Sequence, residues 1–170
     1  FDEGTGTTAG DSSGNGNTGT LVNGPLWVAG QVGSGALDFA GDNDYVDVGT
    51  LDVPGNAITL AAWFNGDNFA NCGSIDCRII SKAVETAEQD HYWMISTINS
   101  GGTKLRFRLK TGGTTTTLIP SSPSLTTGVW THVAATYDGT TMRLYQDGVE
   151  VASTAKTGSI DTDNTVSVWI

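Results

Sequence analysis

Two Asp-Gly dipeptides, each flanked by runs in which apolar and polar residues alternate, constrain this chain more than any other feature of its sequence. Asp138-Gly139 and Asp147-Gly148 divide residues 130–154 into three such runs. An Asp-Gly pair between alternating runs is the strongest short-range signal for a hairpin. The segment therefore predicts an antiparallel three-stranded meander.

Alternating runs separated by turn residues also occur elsewhere along the chain. Alternating runs occupy residues 57–64 and 104–110, and the glycine-rich segments at residues 99–102 and 111–113 are typical of hairpin turns. Helical periodicity is nearly absent. Roughly a dozen short strands at regular spacing predict an all-β fold, either a sandwich or a barrel.

Composition and charge exclude several classes of partner. The chain has 18 acidic residues and 8 Lys or Arg residues, for a net charge of −10. Because such a protein repels phosphate groups, neither nucleic acid nor anionic lipid is an expected partner. No apolar run approaches the ~18 residues of a membrane span, so membrane insertion is not expected. The glycine-rich, neutral-polar composition favours an extracellular or cell-surface β protein.

The two cysteines, Cys72 and Cys77, are separated by four residues. No second Cys or His pair lies near enough in the sequence to complete a zinc site. We therefore expect a local disulfide, which would indicate an oxidising compartment. Two free thiols are the alternative.

The loop at residues 11–17 carries oxygen atoms at alternating positions. Asp11 and Asn15 are its candidate ligands for a hard cation such as Ca²⁺. The alternative is a turn in which the Asp and Asn side chains bind their own backbone.

Basic and aromatic residues supply a candidate ligand surface. Lys104, Arg106 and Arg108 alternate with apolar residues and are therefore predicted to share one face of a strand. Such a stripe could bind an acidic polysaccharide or an acidic neighbour, or simply keep a strand edge soluble. Trp93 and Tyr92 are predicted to point in opposite directions, so one of them is expected to be exposed. Trp93 is a candidate stacking surface for a glycan, and the alternative is that it packs in the core.

Several of these segments resemble laminin-G-like domains of the concanavalin A-like lectin/glucanase jelly rolls. The resemblance is carried by residues 1–6, 11–17, 35–48, 58–63, 130–139 and 144–151, including Trp130-Thr-His-Val-Ala-Ala-Thr-Tyr-Asp-Gly139. It implies one laminin-G-like domain over residues 1–170, built as a two-sheet antiparallel β-sandwich. It also implies extracellular roles such as glycan binding, adhesion or accessory function beside a hydrolase.

The resemblance points to a second calcium site. In similar jelly rolls a structural Ca²⁺ ties the N-terminal segment to a loop at this position, which implies the Gly41 carbonyl, Asp42 and Asp44 as ligands. The alternative is a solvated acidic turn.

The resemblance also implies that the domain is clipped at both ends and lacks its closing strand. The expected explanation is a fragment of a longer extracellular protein. Alternatives are a strand donated by a copy of the chain, as in a filament, or a different closure of the sandwich.

No catalytic pattern is evident. Glycosidases need paired carboxyl groups, and the chain has four Glu residues, none in a strand motif of that kind. We therefore expect a non-catalytic binding or adhesion module for glycan or a surface protein, with Ca²⁺ as a structural cofactor. The alternatives are a filament subunit completed by a neighbour's strand and an accessory domain of a polysaccharide-degrading enzyme.

Overall fold

A computed structural model describes residues 1–69 and 77–170. The chain divides into two compact units, Asp52–Asp163 and a smaller one composed of Phe1–Leu51 and Asn164–Ile170. In the described residues no helix is long and apolar enough to cross a membrane.

The larger unit is an antiparallel β-sandwich. One of its sheets has the order β7-β8-β9-β10 and the other has the order β13-β12-β11-β6. Residues of β9 and β10 contact β12, so the sheets pack face to face. The strands are β6 (Ile58–Phe64), β7 (Cys77–Ala83), β8 (His91–Asn99), β9 (Thr103–Thr111), β10 (Thr114–Leu118), β11 (Thr131–Tyr137), β12 (Thr141–Gln146) and β13 (Val149–Ala155), with one 3₁₀ turn at Glu88–Asp90.

The hairpins lie where the sequence predicts them. Strands β11, β12 and β13 form the expected antiparallel meander. At the second turn Asp147 and Gly148 have φ of 51° and 81°, the positive values that a type I′ turn needs at both central positions. The all-β, two-sheet sandwich expected from the sequence is confirmed.

The core of the sandwich follows from strand alternation. Each strand presents every second side chain to the facing sheet, and these side chains are apolar. The fully buried residues on these inner faces include Ile95, Leu105, Phe107, Leu109, Val133, Ala135, Met142 and Leu144. Strands β8 and β9 are buried on both faces, whereas β6, β11 and β12 alternate between buried and more exposed residues.

A buried charge lies among these apolar side chains. Lys82 of β7 is fully buried, and its Nζ lies 3.0 Å from Oδ1 of Asp52. The same Asp52 oxygen accepts the backbone N–H of Asp163, whose carboxylate accepts the hydroxyl of Tyr92. Burial and the hydrogen bond to Asp163 raise the pKa of Tyr92. These contacts join two strands to two irregular segments of the larger unit.

The smaller unit contains one antiparallel sheet and one separate hairpin. Its sheet includes β1, β2, β5 and β14, and its hairpin pairs β3 with β4. The strands are β1 (Thr8–Ala9), β2 (Gly19–Val22), β3 (Leu26–Val28), β4 (Ala36–Asp38), β5 (Tyr45–Asp47) and β14 (Val168–Trp169). The indole N–H of Trp27 donates to the Gly6 carbonyl at 2.9 Å and ties the hairpin to the N-terminal segment.

We predict that Asp52→Asn destabilises the protein by about 1–3 kcal/mol, because it removes the negative charge that lies 3.0 Å from the fully buried Lys82 ammonium. Chemical denaturation monitored by tryptophan fluorescence measures the loss. Asp42→Asn removes an equal charge from an exposed turn and is the matched control. Equal stability of the two variants would contradict a structural role for the ion pair.

Candidate ligand-binding face

The outward face of the sheet β13-β12-β11-β6 carries an open surface of aromatic, small and charged side chains. Burial alternates along β6, β11 and β12, so that every second residue lies away from the core. We call this surface the Trp63 face. It consists of Thr59, Ala61, Trp63, His132, Ala134, Thr136, Arg143 and Tyr145.

Trp63 is the dominant apolar group of this face. Its side chain is 42% exposed although it belongs to a strand of the sandwich. His132 is its cross-strand partner, and the two rings meet edge-on with centroids 5.3 Å apart. Since the His132 N–H also donates to Asp147 at 2.9 Å, the backbone beneath the imidazole is held in place. The indole is therefore exposed yet supported from one side.

Strand β11 separates Trp63 from a second aromatic side chain. Ala134 of β11 pairs with Ala61 on one side and with Tyr145 on the other. Trp63 and Tyr145 are thus two strands and two residues apart, which places their Cα atoms about 12 Å from each other. The line between the two aromatic residues crosses β11 between His132 and Ala134, so an imidazole and a small methyl group lie beside it.

Charge on this face is concentrated around Arg143. Its guanidinium lies 2.6 Å from Asp138 and 3.7 Å from Glu150. The Asp138 carboxylate also accepts the backbone N–H groups of Thr140 and Thr141, and so closes the turn between β11 and β12. The hydrogen bond from Arg143, together with those from Thr140, holds the pKa of Asp138 well below its usual range.

The Asp147-Gly148 turn sets the position of Glu150. A two-residue turn pairs Gln146 with Val149 and then Tyr145 with Glu150. The register shifts only beyond this point, where Leu144 pairs with Ala152, so the bulge displaces the rest of β13. The turn thereby brings a carboxylate beside the second aromatic ring of the Trp63 face.

The basic stripe expected on β9 does not form an exposed surface. Lys104, Arg106 and Arg108 retain 8%, 4% and 9% of their accessible surface. Lys104 donates to the Ser121 carbonyl, Arg106 to the Ser96 hydroxyl and Arg108 to the Thr117 hydroxyl. The expectation of exposure was wrong because alternation gives the direction of a side chain but not the groups that cover it.

Trp93 is also buried, with 2% of its surface accessible. It pairs across the sheet with Leu109, which belongs to the core. The expectation of an exposed Trp93 is therefore corrected. Tyr92, its neighbour, is partly exposed and lies beneath Lys110, whose Nζ is 5.2 Å from the ring centroid.

The predicted calcium ligands lie in two loops of the smaller unit. Asp11 accepts the N–H groups of Ser13 and Asn17, each at 2.8 Å, and Asn15 donates to the Ser13 hydroxyl. Hydrogen bonds from Ser13, followed by the Asn17 N–H, hold the pKa of Asp11 below its usual value. The first loop is therefore organised by its own hydrogen bonds.

The second predicted loop contains Gly41, Asp42 and Asp44. Gly41 has a φ of 77°, Asp42 is exposed, and Asp44 accepts the Ala40 N–H at 3.0 Å. Within residues 1–69 and 77–170 no group of three or more His, Cys, Asp and Glu side chains is placed to hold a metal ion. Calcium binding stays a prediction from the sequence.

A cavity of about 330 Å³ lies in the smaller unit. Aliphatic side chains of Val46, Val48 and Leu51 line it, and Asp11 and Asn17 supply polar groups. Since both oxygens of Asp11 already accept backbone N–H groups, this cavity offers a ligand fewer available polar groups than the Trp63 face does. The Trp63 face is the better candidate site.

Of the predicted cysteine pair, Cys77 begins β7 and Cys72 lies outside the described residues. The disulfide stays a prediction.

Sequence comparison places most of this chain in one superfamily. A laminin G profile, described as the concanavalin A-like lectin/glucanases superfamily, matches residues 40–170. Pappalysin-1 of Mus musculus is 32% identical over 130 residues, which cover 72% of this chain and 8% of that protein. The chain thus spans a small part of this curated relative.

Solved structures share the fold at low sequence identity. Domain 4 of AbnA, an extracellular arabinanase from Geobacillus stearothermophilus solved with arabinotriose, has a TM-score of 0.67 and 19% identity, covering 94% of this chain and 76% of its own. A heptameric SAP-like pentraxin from Limulus polyphemus has a TM-score of 0.51 and 17% identity, covering 74% of this chain and 56% of its own. Both match the sandwich architecture described above.

We predict that Asp138→Ala lowers the melting temperature at neutral pH, because it removes the acceptor that closes the turn between β11 and β12. The folded-state pKa of Asp138 lies below its usual value, so its stabilising effect is present above that value and is lost as pH falls through the folded-state pKa. The difference in melting temperature between wild type and variant should therefore shrink from about pH 7 to about pH 2.

Thermal melts across this pH range measure the difference. Asp38→Ala, at the exposed end of β4, is the control for loss of a carboxylate outside this turn. A difference that stays constant down to the lowest pH would contradict the proposed role of the ionised Asp138.

Proposed function

Because this chain belongs to the concanavalin A-like lectin/glucanases superfamily, we propose that it is a non-catalytic, extracellular module that binds carbohydrate through the Trp63 face. The observation that carries the proposal is the exposed, supported indole of Trp63, separated from Tyr145 by β11. This arrangement provides two apolar ring surfaces with polar groups at their margin.

Carbohydrate fits this chemistry because a sugar ring is amphipathic. Its C–H groups form apolar faces that stack on aromatic rings, and its hydroxyl groups project sideways towards hydrogen-bonding partners. Aromatic side chains suit such ligands because they contribute large, rigid contact areas. Thr59 and Thr136 pair with each other on this face, and Tyr145 pairs with Ala134, so hydroxyl groups are available beside the apolar surface.

The comparisons support this reading at the level of the class of protein. AbnA domain 4, whose fold this chain shares, belongs to an extracellular arabinanase and was solved with arabinotriose. Pappalysin-1, which is similar in sequence, is a much larger protein. A module within a longer secreted protein is consistent with both. Self-association by strand donation and binding to a surface protein stay predictions.

The charges near the Trp63 face favour binding without catalysis. A glycosidase needs one carboxyl group that remains protonated as a general acid and therefore has a raised pKa. Asp138 and Glu150 both lie against Arg143, Asp147 accepts the His132 N–H, and the pKa of Asp138 is lowered. Asp138 therefore lacks the environment of a general acid.

We predict that Trp63→Ala weakens glycan binding at least about tenfold, because it removes the larger stacking surface. Isothermal titration with arabinotriose, extended to a panel of other oligosaccharides, measures the affinity. The free energy of unfolding should also fall, by about 1–3 kcal/mol, because more than half of the Trp63 residue is covered in the fold, and binding is therefore measured where the variant remains folded.

Trp169→Ala is the matched control. Trp169 is 43% exposed, close to the value for Trp63, but it stacks on Tyr45 in the smaller unit. The control should bind as the wild type does. Equal loss in both variants, or binding that survives Trp63→Ala, would move the glycan site away from this face.

A further inference from the structure

We infer that the Trp63 face selects uncharged oligosaccharides longer than one ring and discriminates against uronic and sulfated glycans. The inference rests on the proposed carbohydrate binding and names its ligand class. It follows from the distribution of charge on this sheet and from the separation of its two aromatic side chains.

Basic side chains are nearly absent from this sheet. Of the 8 Lys and Arg residues in the chain, Arg143 alone lies on strands β6, β11, β12 and β13, all of which the structure describes. Lys104, Arg106 and Arg108 belong to β9 of the other sheet and are buried. An anionic ligand on the Trp63 face would therefore have one cation available to it.

That cation is already flanked by two carboxylates. Asp138 lies 2.6 Å from one nitrogen of the guanidinium, and Glu150 lies 3.7 Å from another. The hydrogen bond to Asp138 raises the pKa of Arg143, so the guanidinium stays charged and paired with that carboxylate. Arg143, Asp138 and Glu150 together carry a net negative charge. The whole chain is also acidic, with a net charge of −10. A uronate or sulfate approaching Tyr145 would meet repulsion from Glu150, its cross-strand partner.

The separation of the rings sets a minimum length. Trp63 and Tyr145 are about 12 Å apart at their Cα atoms, which exceeds the width of a single sugar ring. A monosaccharide can stack on one of them, whereas a linear oligosaccharide can cross β11 between His132 and Ala134 and contact both. Each additional contact lowers the dissociation constant, so affinity should rise with chain length until both rings are covered.

The test compares ligands that differ only in charge. Cello-oligosaccharides of increasing length and the corresponding oligoglucuronates share a linkage, and parallel neutral and uronic polysaccharides widen the range of sugars. Each is titrated against the full chain, with Trp63→Ala used to confirm that any binding occurs at this face. We expect binding to neutral members that strengthens with length and changes little with ionic strength.

A charge variant sharpens the comparison. Glu150→Gln removes one of the two carboxylates that flank Arg143 while keeping the size of the side chain. We expect it to improve binding of uronic ligands by about two- to fivefold, the range typical of one exposed ion pair, and to leave neutral ligands unchanged. Glu85→Gln, an exposed change outside this sheet, is the control and should alter neither.

The outcomes separate the inference from the proposed function. Binding that depends on Trp63 but favours uronic or sulfated glycans, or that is as strong for monosaccharides, would overturn the inference and leave carbohydrate binding standing. Absence of binding to every neutral and charged glycan would overturn both. Trp63-dependent binding restricted to longer neutral ligands supports both.

Discussion

The Trp63 face depends on the packing of the opposite face of the same sheet. Val133, Ala135 and Leu144 are fully buried against the other sheet, and period-two alternation then directs their neighbours outward. A slip of one residue between β11 and β6 would exchange the two sets and bury Trp63. Core packing therefore fixes not only the sandwich but also the identity of the residues that it presents to a ligand.

The buried pair of Lys82 and Asp52 adds a polar constraint to this apolar one. A fully buried ammonium is costly unless its partner is fixed in position. Asp52 is fixed by the N–H of Asp163, and the Asp163 carboxylate in turn binds Tyr92. Because these contacts link the buried ammonium to Asp52, Asp163 and Tyr92, the network specifies how the irregular segments meet the strands.

Local sequence patterns predicted the architecture well, because turns and alternation are local properties. Asp147-Gly148 predicted its hairpin correctly, since few residue pairs accept positive φ at both turn positions. The exposure of Lys104 and Trp93 was not predictable in this way, because it depends on which groups lie over a strand after folding. For Trp93, apolar residues on both faces of β8 left its direction open. The Trp63 face was not predictable from local patterns, because it forms only when β6, β11 and β12 pair in register. That register cannot be read from the sequence of any one strand.

The turn between β12 and β13 links structure to ligand choice. The two-residue turn at Asp147-Gly148 pairs Gln146 with Val149 and therefore Tyr145 with Glu150. It thereby places the Glu150 carboxylate within 3.7 Å of Arg143. Asp138 engages the same guanidinium from the turn that it closes, so the only basic side chain on these strands is neutralised by two elements that also shape the sheet. Conversion of this face to recognition of acidic glycans would therefore require a change in strand register or in turn chemistry, and not only the addition of a positive charge.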